Sequence, residues 1–191
     1  IIGVYDAKGQ LSGYVDANGR ISSSPVKIAR KVSALYRDSK GRIYIGTRNE
    51  GLFIIDNGKK TRYAHDNASP YSLSSDEIYA FDEDEQGNLW VATYGGGPNL
   101  IRKQDNGSLR FVHAGNEMKQ FPLSTFNQIR RITHDGKGTV ILSSTSGLIT
   151  FSNRFTRPSD IRFFTTGYHH GDSTSLRTCD VLQTLITRKG D

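Results

Sequence analysis

A sixteen-residue unit recurs along the chain and restricts the folds that the chain can adopt. Residues 78–93 read IYAFDEDEQGNLWVAT, where an apolar segment leads to an Asp-x-x-Gly turn and then to aromatic and β-branched residues typical of a strand. Residues 32–47 and 129–144 match this unit position for position. Because Asp bonds turn backbone readily and Gly adopts positive φ without penalty, each unit predicts a β-hairpin.

The spacing of the units predicts a propeller. A fourth copy starts at residue 181, with Thr187 in place of the Asp, and the repeat glycines lie 46, 51 and 52 residues apart. These glycines are Gly41, Gly87, Gly138 and Gly190. A period of this size built from strands is typical of propeller blades and not of a helical solenoid. We therefore predict an all-β fold, a β-propeller fragment of four-stranded antiparallel blades, with about three complete blades and two partial ones.

The repeats also divide the chain. We predict one partial propeller domain over residues 1–191, and the unfinished last repeat predicts that this domain is a piece of something longer. The predicted segments are blade ends at 1–17, blades at about 31–66, 77–115 and 128–168, and the start of a further blade at 179–191. Within 1–17 we expect two strands, with Leu11–Val15 outermost, and in the last complete blade an outer strand at 161–164.

Composition excludes several classes of protein. The net charge of +6 comes from Lys and Arg residues that are scattered along the chain, which favours a solvated surface over a nucleic-acid interface. The single Cys179 excludes a disulfide within the chain. No apolar run approaches the roughly 20 residues that span a membrane, so we predict no membrane segment among these residues.

Catalytic and metal-binding motifs are absent from the sequence. There is no Gly-x-Ser-x-Gly elbow, no P-loop, no His-Glu-x-x-His and no paired Cys. His169 and His170 are adjacent, so in a strand-like segment they point to opposite sides and do not readily share an ion. The acidic run at 82–85 belongs mostly to a turn, and the glycines at 95–97 are interpreted as a loop insertion. We predict no catalytic residue, no metal and no cofactor.

The repeated motif Asp-x-x-Gly-x-[Leu/Ile]-[Trp/Tyr]-[Val/Ile]-[Ala/Gly]-Thr resembles the two-component regulator propeller repeat. The residues that carry the resemblance lie at 38–52 with 72–73, at 84–93, and at 135–148 with 175–176. The third copy departs from the motif, because Ile141 replaces the aromatic residue and Ser143 and Ser144 replace Gly-Thr.

This resemblance implies a function. Such repeats form the periplasmic sensor region of hybrid two-component histidine kinases of Bacteroides-type bacteria. It therefore implies a parent chain with two seven-bladed propellers, an immunoglobulin-like domain, a membrane helix, kinase and receiver domains and a DNA-binding regulator. The implied partners are an oligosaccharide and the other propeller segments of the parent. The fragment itself would not be an enzyme.

Two other functions stay open. Streptogramin lyases resemble the chain too, since their propellers repeat Gly-x-Leu-Trp-Phe-Thr and use a divalent metal with a catalytic His. Here the element at 87–93 reads GNLWVAT, without the Phe before Thr. A purely structural protein-interaction propeller is the other alternative.

The meander predicts where a ligand binds. Successive antiparallel connections alternate between two ends of a blade, so the short turns share one face, which we call the turn face, and the long connections share the other, the loop face. We expect the turns to be too tight for a pocket, and binding residues to lie on the loop face. These residues are Arg48, Asn49 and Asn67 for hydroxyl groups and Tyr71, Tyr94, Phe121 and Tyr168 for sugar rings. The alternative is that these loops only pack between blades or protomers.

Exposed blade faces at the two ends of an open arc predict association. Unpaired strand edges and apolar faces are adhesive surfaces, so we expect a homodimer with two-fold symmetry. A small four-bladed ring, in which residues 1–15 complete the last blade, is the minor alternative.

Overall fold

The computed structural model describes residues 1–187 and is almost entirely β-structure. Gly190 and the other residues of the predicted last segment from 188 onwards lie outside the described residues. The strands are β1 Gly3–Tyr5, β2 Leu11–Val15, β3 Ile21–Ser22, β4 Val32–Arg37, β5 Ile43–Thr47, β6 Leu52–Asp56, β7 Lys59–Tyr63, β8 Ile78–Glu83, β9 Leu89–Thr93, β10 Gly97–Lys103, β11 Leu109–Val112, β12 Ile129–His134, β13 Thr139–Ser144, β14 Gly147–Ser152 and β15 Phe164–Thr166. A 3-10 turn spans Pro158–Asp160.

The strands form four sheets, each a meander of antiparallel neighbours in chain order. Strands β1 to β3 make the N-terminal sheet, β4 to β7 make blade 1, β8 to β11 make blade 2 and β12 to β15 make blade 3. Strand β8 contacts both β4 and β12 of the neighbouring blades, so these three are the inner strands. This arrangement confirms the predicted fold class.

Hydrophobic clusters join successive sheets. Ile2 and Val15 pack with Phe53 between the N-terminal sheet and blade 1, and two further clusters fill the junctions between blades 1 and 2 and between blades 2 and 3. None of these clusters, drawn from residues 1–187, joins the N-terminal sheet to blade 3. Strands β1 and β2, which lie within residues 1–15, form a sheet with β3 and do not complete blade 3. This pairing argues against the four-bladed ring.

The spacing of the repeat motif has a physical cause. Asp84 accepts hydrogen bonds from the amides of Gln86 and Asn88 through one carboxylate oxygen, and from Trp90 Nε1 at 2.9 Å through the other. In blade 1, the hydroxyl of Tyr44 likewise donates a hydrogen bond to Asp38 Oδ2, at 3.2 Å. The Asp therefore closes the turn and anchors the buried aromatic ring of the next strand.

The prediction for the N-terminal sheet was wrong in one strand. Leu11–Val15 is the central strand, and the outermost one is Ile21–Ser22. The reason is that Asp6 and Asp16 each head a turn of the Asp-x-x-Gly type, and both accept two backbone amides through Oδ1. Two such turns in succession make three strands, where the sequence analysis predicted two.

The outer strand of blade 3 also differs from the prediction. It spans Phe164–Thr166 instead of residues 161–164. Ile161 is apolar because it fills the core, where it is 2% exposed, and the 3-10 turn that starts at Pro158 brings it there. An apolar residue after a long connection was thus mistaken for the start of a strand.

Candidate functional site

Each inner strand begins with a β-bulge on the loop face. The pairing register shifts between Val32 and Ala34 in β4, and at the equivalent places in β8 and β12. The residues skipped by the ladder are Ser33, Tyr79 and Arg130. A bulge residue has no partner across the ladder, so its side chain is free to be directed elsewhere.

Around Tyr79 the bulge builds a contact between blades 1 and 2. The guanidinium of Arg48 lies over the ring of Tyr79, with its carbon 4.3 Å from the ring centroid, and also donates to the Tyr79 hydroxyl. Arg48 Nη1 lies 3.3 Å from a carboxylate oxygen of Glu77. The ring of Tyr94 stacks on Tyr79 with the centroids 5.1 Å apart. A cation over an aromatic face is attracted by the ring quadrupole.

At the bulge of blade 3, Arg130 pairs with Asp180. Nε and Nη2 donate to the two carboxylate oxygens of Asp180 at 2.8 and 3.1 Å. This side-chain hydrogen bond raises the pKa of Arg130. We call the set Arg48, Glu77, Tyr79, Tyr94, Arg130 and Asp180 the mouth cluster. It holds two cations and two carboxylates, so it is electrically balanced.

A cavity of about 320 Å³ lies between the inner strands next to this cluster. Its polar lining residues are Ser33, Tyr36, Tyr79, Asp82, Arg131 and Thr133. Further along the inner strands, His134 Nδ1 lies 2.7 Å from Asp82 Oδ2 and links blade 3 to blade 2. The inner strands therefore carry polar contacts along the cavity and at its loop-face end.

The structure brings together only part of the predicted ligand site. Arg48 and Tyr94 meet at Tyr79, and Asn49 is exposed beside Arg48. Phe121 does not fit the predicted role, because it is 4% exposed and packs edge-on against Phe163 with the centroids 5.1 Å apart. It lies in the core and offers no face to a sugar ring.

The other predicted residues contact different parts of the molecule. Asn67 Oδ1 lies 3.0 Å from Nε2 of His65. Tyr71 is partly exposed beneath Arg110, whose guanidinium carbon lies 5.1 Å from the ring centroid. Tyr168 is exposed after the outer strand of blade 3. Whether any of the three contacts a ligand stays a prediction.

Sequence reasoning missed most of the mouth cluster. Tyr79 and Arg130 lie at positions that the sequence predicts as ordinary strand, although the second residue of each inner strand changes from Ser to Tyr to Arg while the residue before it stays apolar. That change of chemistry at one repeat position was the available signal for a bulge. Nothing in the sequence indicated that Glu77 and Asp180 pair with arginines of neighbouring elements.

The expectation that the turn face has no pocket was wrong. A cavity of about 480 Å³ opens there between blades 1 and 2. It is lined by Arg42, Ile54, Asp56, Asn57, Lys59, Thr61, Tyr63, Lys103, Gly107 and Leu109. The individual turns are tight, as expected, but the space between two neighbouring hairpins is not.

Metal-site clusters and membrane-spanning helices are both missing from residues 1–187. No three His, Cys, Asp or Glu side chains in this part of the chain come together as a possible metal site. No helix in the same residues has the length and apolar character needed to cross a membrane.

Comparison with a family model decides what the repeat is. Residues 28–49 and 72–95 match the model of the two component regulator propeller. These segments are two component regulator propeller repeats. The matched residues cover the inner two strands of blade 1 and of blade 2, including the Asp-x-x-Gly turns and both aromatic anchors. The resemblance noted in the sequence is thereby confirmed.

One similar solved structure supports the propeller fold, and two others show a weaker similarity. The extracellular domain of a protein described as a hybrid two component system of B. thetaiotaomicron is 24% identical with a TM-score of 0.52, and the match covers 85% of this chain and 22% of that one. A second such domain from B. thetaiotaomicron is 24% identical with a TM-score of 0.34 and coverages of 83% and 20%. Virginiamycin B lyase from Staphylococcus aureus is 14% identical with a TM-score of 0.46 and coverages of 71% and 41%.

The chain spans about a fifth of the length of the two Bacteroides structures that it matches. A comparison with curated proteins gives no significant match.

Proposed function

We propose that this chain is part of the extracytoplasmic sensor propeller of a hybrid two-component histidine kinase, which detects an oligosaccharide and relays the signal across the membrane to a phosphorelay and to transcription. The observation that carries the proposal is the pair of two component regulator propeller repeats at 28–49 and 72–95. The hybrid two component system whose extracellular domain shares the fold supports it. A periplasmic location and a kinase domain elsewhere in the parent chain are parts of the same proposal.

The repeats favour a non-enzymatic propeller segment. The segment from Gly87 to Thr93 matches the regulator repeat and lacks the Phe that the lyase element carries before Thr. Addition and chelation of divalent metal ions test this point directly. If the chain opened a macrocyclic streptogramin only in the presence of a divalent metal, the enzyme alternative would replace the sensor.

The mouth cluster is the proposed sensing site on the loop face. Tyr94 supplies an aromatic ring, and Arg48 with Glu77 supplies donors and acceptors of the kind that bond neighbouring hydroxyl groups. Because the cluster joins blade 1 to blade 2 and blade 3 to the segment after it, a ligand bound there changes how blades pack. Such a change in packing is what the parent would pass on to its membrane helix.

The full-length parent in lipid vesicles provides the test. A panel of oligosaccharides is added on the sensor side, and binding and kinase autophosphorylation are both measured. We expect Tyr94→Ala and Arg48→Ala to weaken binding of the active oligosaccharide by at least about tenfold, since each removes a central aromatic or charged contact. Lys8→Ala, in an exposed turn of the N-terminal sheet, is the matched control.

Three results would contradict parts of this proposal. Absence of a kinase domain from the parent reading frame removes the signalling function. Unchanged binding by both variants removes the mouth cluster as the site. A ligand that binds without changing autophosphorylation separates binding from relay.

A homodimer remains part of the proposal. Exposed apolar side chains lie on the N-terminal sheet at Tyr5, Leu11 and Ile21, and in the segment after blade 3 at Leu182 and Leu185. Tyr5 and Leu11 are partners across β1 and β2, and exposed apolar side chains that lie close together mark interaction sites. Light scattering over a range of concentrations measures the mass, and a monomer at the highest concentration is evidence against the dimer.

A further inference from the structure

The turn-face cavity between blades 1 and 2 has the construction of a binding groove. One wall comes from β6 and β7 of blade 1, and the other comes from the hairpin that joins β10 to β11 in blade 2. Its volume of about 480 Å³ falls within the range of about 300–1,000 Å³ that is usual for small-ligand sites. The lining includes apolar surface from Ile54, Tyr63 and Leu109, so the groove is not merely a gap between charged side chains.

Positive charge predominates in the groove. Arg42, Lys59 and Lys103 line it, and Asp56 is the one carboxylate among the lining residues. Asp56 accepts a hydrogen bond from the side-chain amide of Asn57 at 2.9 Å, which occupies part of its acceptor capacity. If Asp38, which bonds Arg42, is counted with Asp56, two carboxylates oppose three cationic side chains, and one positive charge remains in excess.

Arg42 is held in place before any ligand binds. Its Nε donates to Asp38 Oδ2 at 2.6 Å, and its guanidinium carbon lies 5.7 Å from the ring centroid of Tyr44. Burial lowers the pKa of Arg42, but the hydrogen bond to Asp38 and the negative charges of Asp38 and Asp56 together raise it overall, so the side chain keeps its charge. The bond uses Nε, which leaves the two Nη groups to donate in parallel to a planar or tetrahedral anion.

We infer that this groove binds a small sugar, of one or two rings, that carries a carboxylate or a sulfate group. Arg42 and the two lysines bind the anionic group, and the apolar floor packs against the ring. The site lies on the face opposite the mouth cluster, so it is a second ligand site beyond the proposed sensing site. The choice of a sugar, as opposed to another small anion, rests on the proposed function.

Matched pairs of probes test the charge requirement. Digalacturonate is compared with galactobiose, and N-acetylglucosamine 6-sulfate with N-acetylglucosamine, by calorimetric titration and by the backbone amide NMR signals of the full chain. We expect only the anionic member of each pair to bind and to shift the signals of Asn57, Lys59 and Gly107. We also expect binding to weaken as salt rises, because the attraction is electrostatic and partly exposed.

Variants connect the signal to the groove. Lys103→Glu adds a carboxylate to an exposed position and is expected to weaken binding of the anionic probes by at least about fivefold without touching the turn around Asp38. Arg42→Gln is expected to weaken it by at least about tenfold. Lys8→Glu changes the net charge equally and lies outside the groove, so its affinity should match that of the unmodified chain.

Several outcomes overturn the inference. Equal binding of the neutral and anionic members of a pair does so, as does loss of affinity in Lys8→Glu equal to that in Lys103→Glu. Inorganic sulfate that binds as tightly as the sulfated sugar shows an anion site without sugar recognition. A neutral oligosaccharide that binds through Tyr94 while no anionic probe shifts the groove signals overturns this inference and leaves the proposed function intact.

Discussion

The junction between blades 1 and 2 and the junction between blades 2 and 3 are formed by equivalent strands but are filled differently. In the first, Phe81 contacts Tyr44 at 5.9 Å and Tyr36 at 6.4 Å between ring centroids. Tyr63 contacts Phe111 at 5.4 Å, and the groove on the turn face stays open. In the second, Trp90 contacts both Phe151 at 5.0 Å and Phe155 at 6.2 Å. Aromatic rings thus pack in both junctions, and the difference lies in the groove that stays open in the first.

The length of one connection accounts for this difference. The hairpin between β10 and β11 is short, so it adds no side chain that reaches across to cover blade 1. The connection between β14 and β15 is eleven residues long, at 153–163, and it places Phe155 over Arg102, with the guanidinium carbon 5.6 Å from the ring centroid. Strand pairing shows Arg102 to be the counterpart of Asp56 in blade 1. A longer loop thus fills with protein the space that a short hairpin leaves to a ligand.

The largest expected loss of stability comes from replacing the central aromatic residue of each junction with alanine. Trp90→Ala should reduce the free energy of unfolding by about 3–5 kcal/mol, because it removes a fully buried ring with two aromatic contacts and leaves Asp84 without the indole donor. Tyr44→Ala should cost less, about 2–4 kcal/mol, because it removes a smaller ring and a longer hydrogen bond, 3.2 Å, to the turn carboxylate. Urea unfolding of both variants measures this, and an equal or larger cost for Tyr44→Ala contradicts the comparison.

Phe155→Ala tests whether the long connection fills the second junction. Because the ring is only half-buried, we expect a loss of about 1–3 kcal/mol in the free energy of unfolding and a new cavity next to Arg102. Phe164→Ala, at a residue that is 64% exposed, is the matched control and should change stability by less than about 0.5 kcal/mol. Equal costs for the two variants would mean that Phe155 does not close the junction.

Tyr44→Phe isolates one hydrogen bond at the first junction. It removes the 3.2 Å bond to Asp38 and keeps the ring, so the expected loss is about 1 kcal/mol. Because Asp38 also holds Arg42, the variant should weaken binding of digalacturonate as well. Thermal unfolding gives the first quantity and titration the second. A stability loss above about 3 kcal/mol would show that the hydroxyl has a larger role than this bond.

The smallest expected effect is a pH dependence confined to the second junction, where His134 contacts Asp82. Burial lowers the pKa of His134, but the hydrogen bond to Asp82 and the nearby carboxylate charges together raise it overall. A raised pKa stabilises the folded state fully below the unfolded value of about 6.5, and this contribution is lost as pH rises through the folded value. We expect a loss of less than about 1 kcal/mol between pH 6 and pH 9, because the pair is partly exposed.

Other charged groups near this pair act in the same or the opposite direction. Burial raises the pKa of Asp82. The contribution of Asp82 to the free energy of unfolding therefore also falls as pH rises, but it does so at lower pH, just above the unfolded value of about 3.9. Asp84 and Glu85 favour the charged imidazole, and Arg131 favours the Asp82 carboxylate. His134→Gln should remove the share of the change between pH 6 and pH 9 that arises from this pair, while His65, with a raised pKa, and His113, with a lowered one, stay in both proteins. A pH dependence that is identical in the variant and the unmodified chain contradicts the prediction.

Sequence reasoning recovered what depends on local chemistry. The Asp-x-x-Gly turn and the buried aromatic strand recur because one carboxylate bonds both, so three hairpins could be placed correctly from their residues alone. The outer strand of blade 3 could not, because Ile161 is apolar for packing after a turn and not for pairing. The mouth cluster and the turn-face groove depend on side chains from neighbouring blades, such as Arg48 with Glu77 and Arg42 with Lys103. No local pattern specifies those contacts.

The β-bulges at Ser33, Tyr79 and Arg130 have a consequence for protein engineering. Strand pairing resumes on either side of each bulge, so the side chain at the bulge is not constrained by a partner across the ladder. These three positions can therefore be randomised together in a combinatorial library while strand register is retained, whereas the contacts that Tyr79 and Arg130 make between elements change with the residue chosen. The repeat separates the residues that specify architecture from those open to diversification, as framework and variable positions are separated in a binding scaffold.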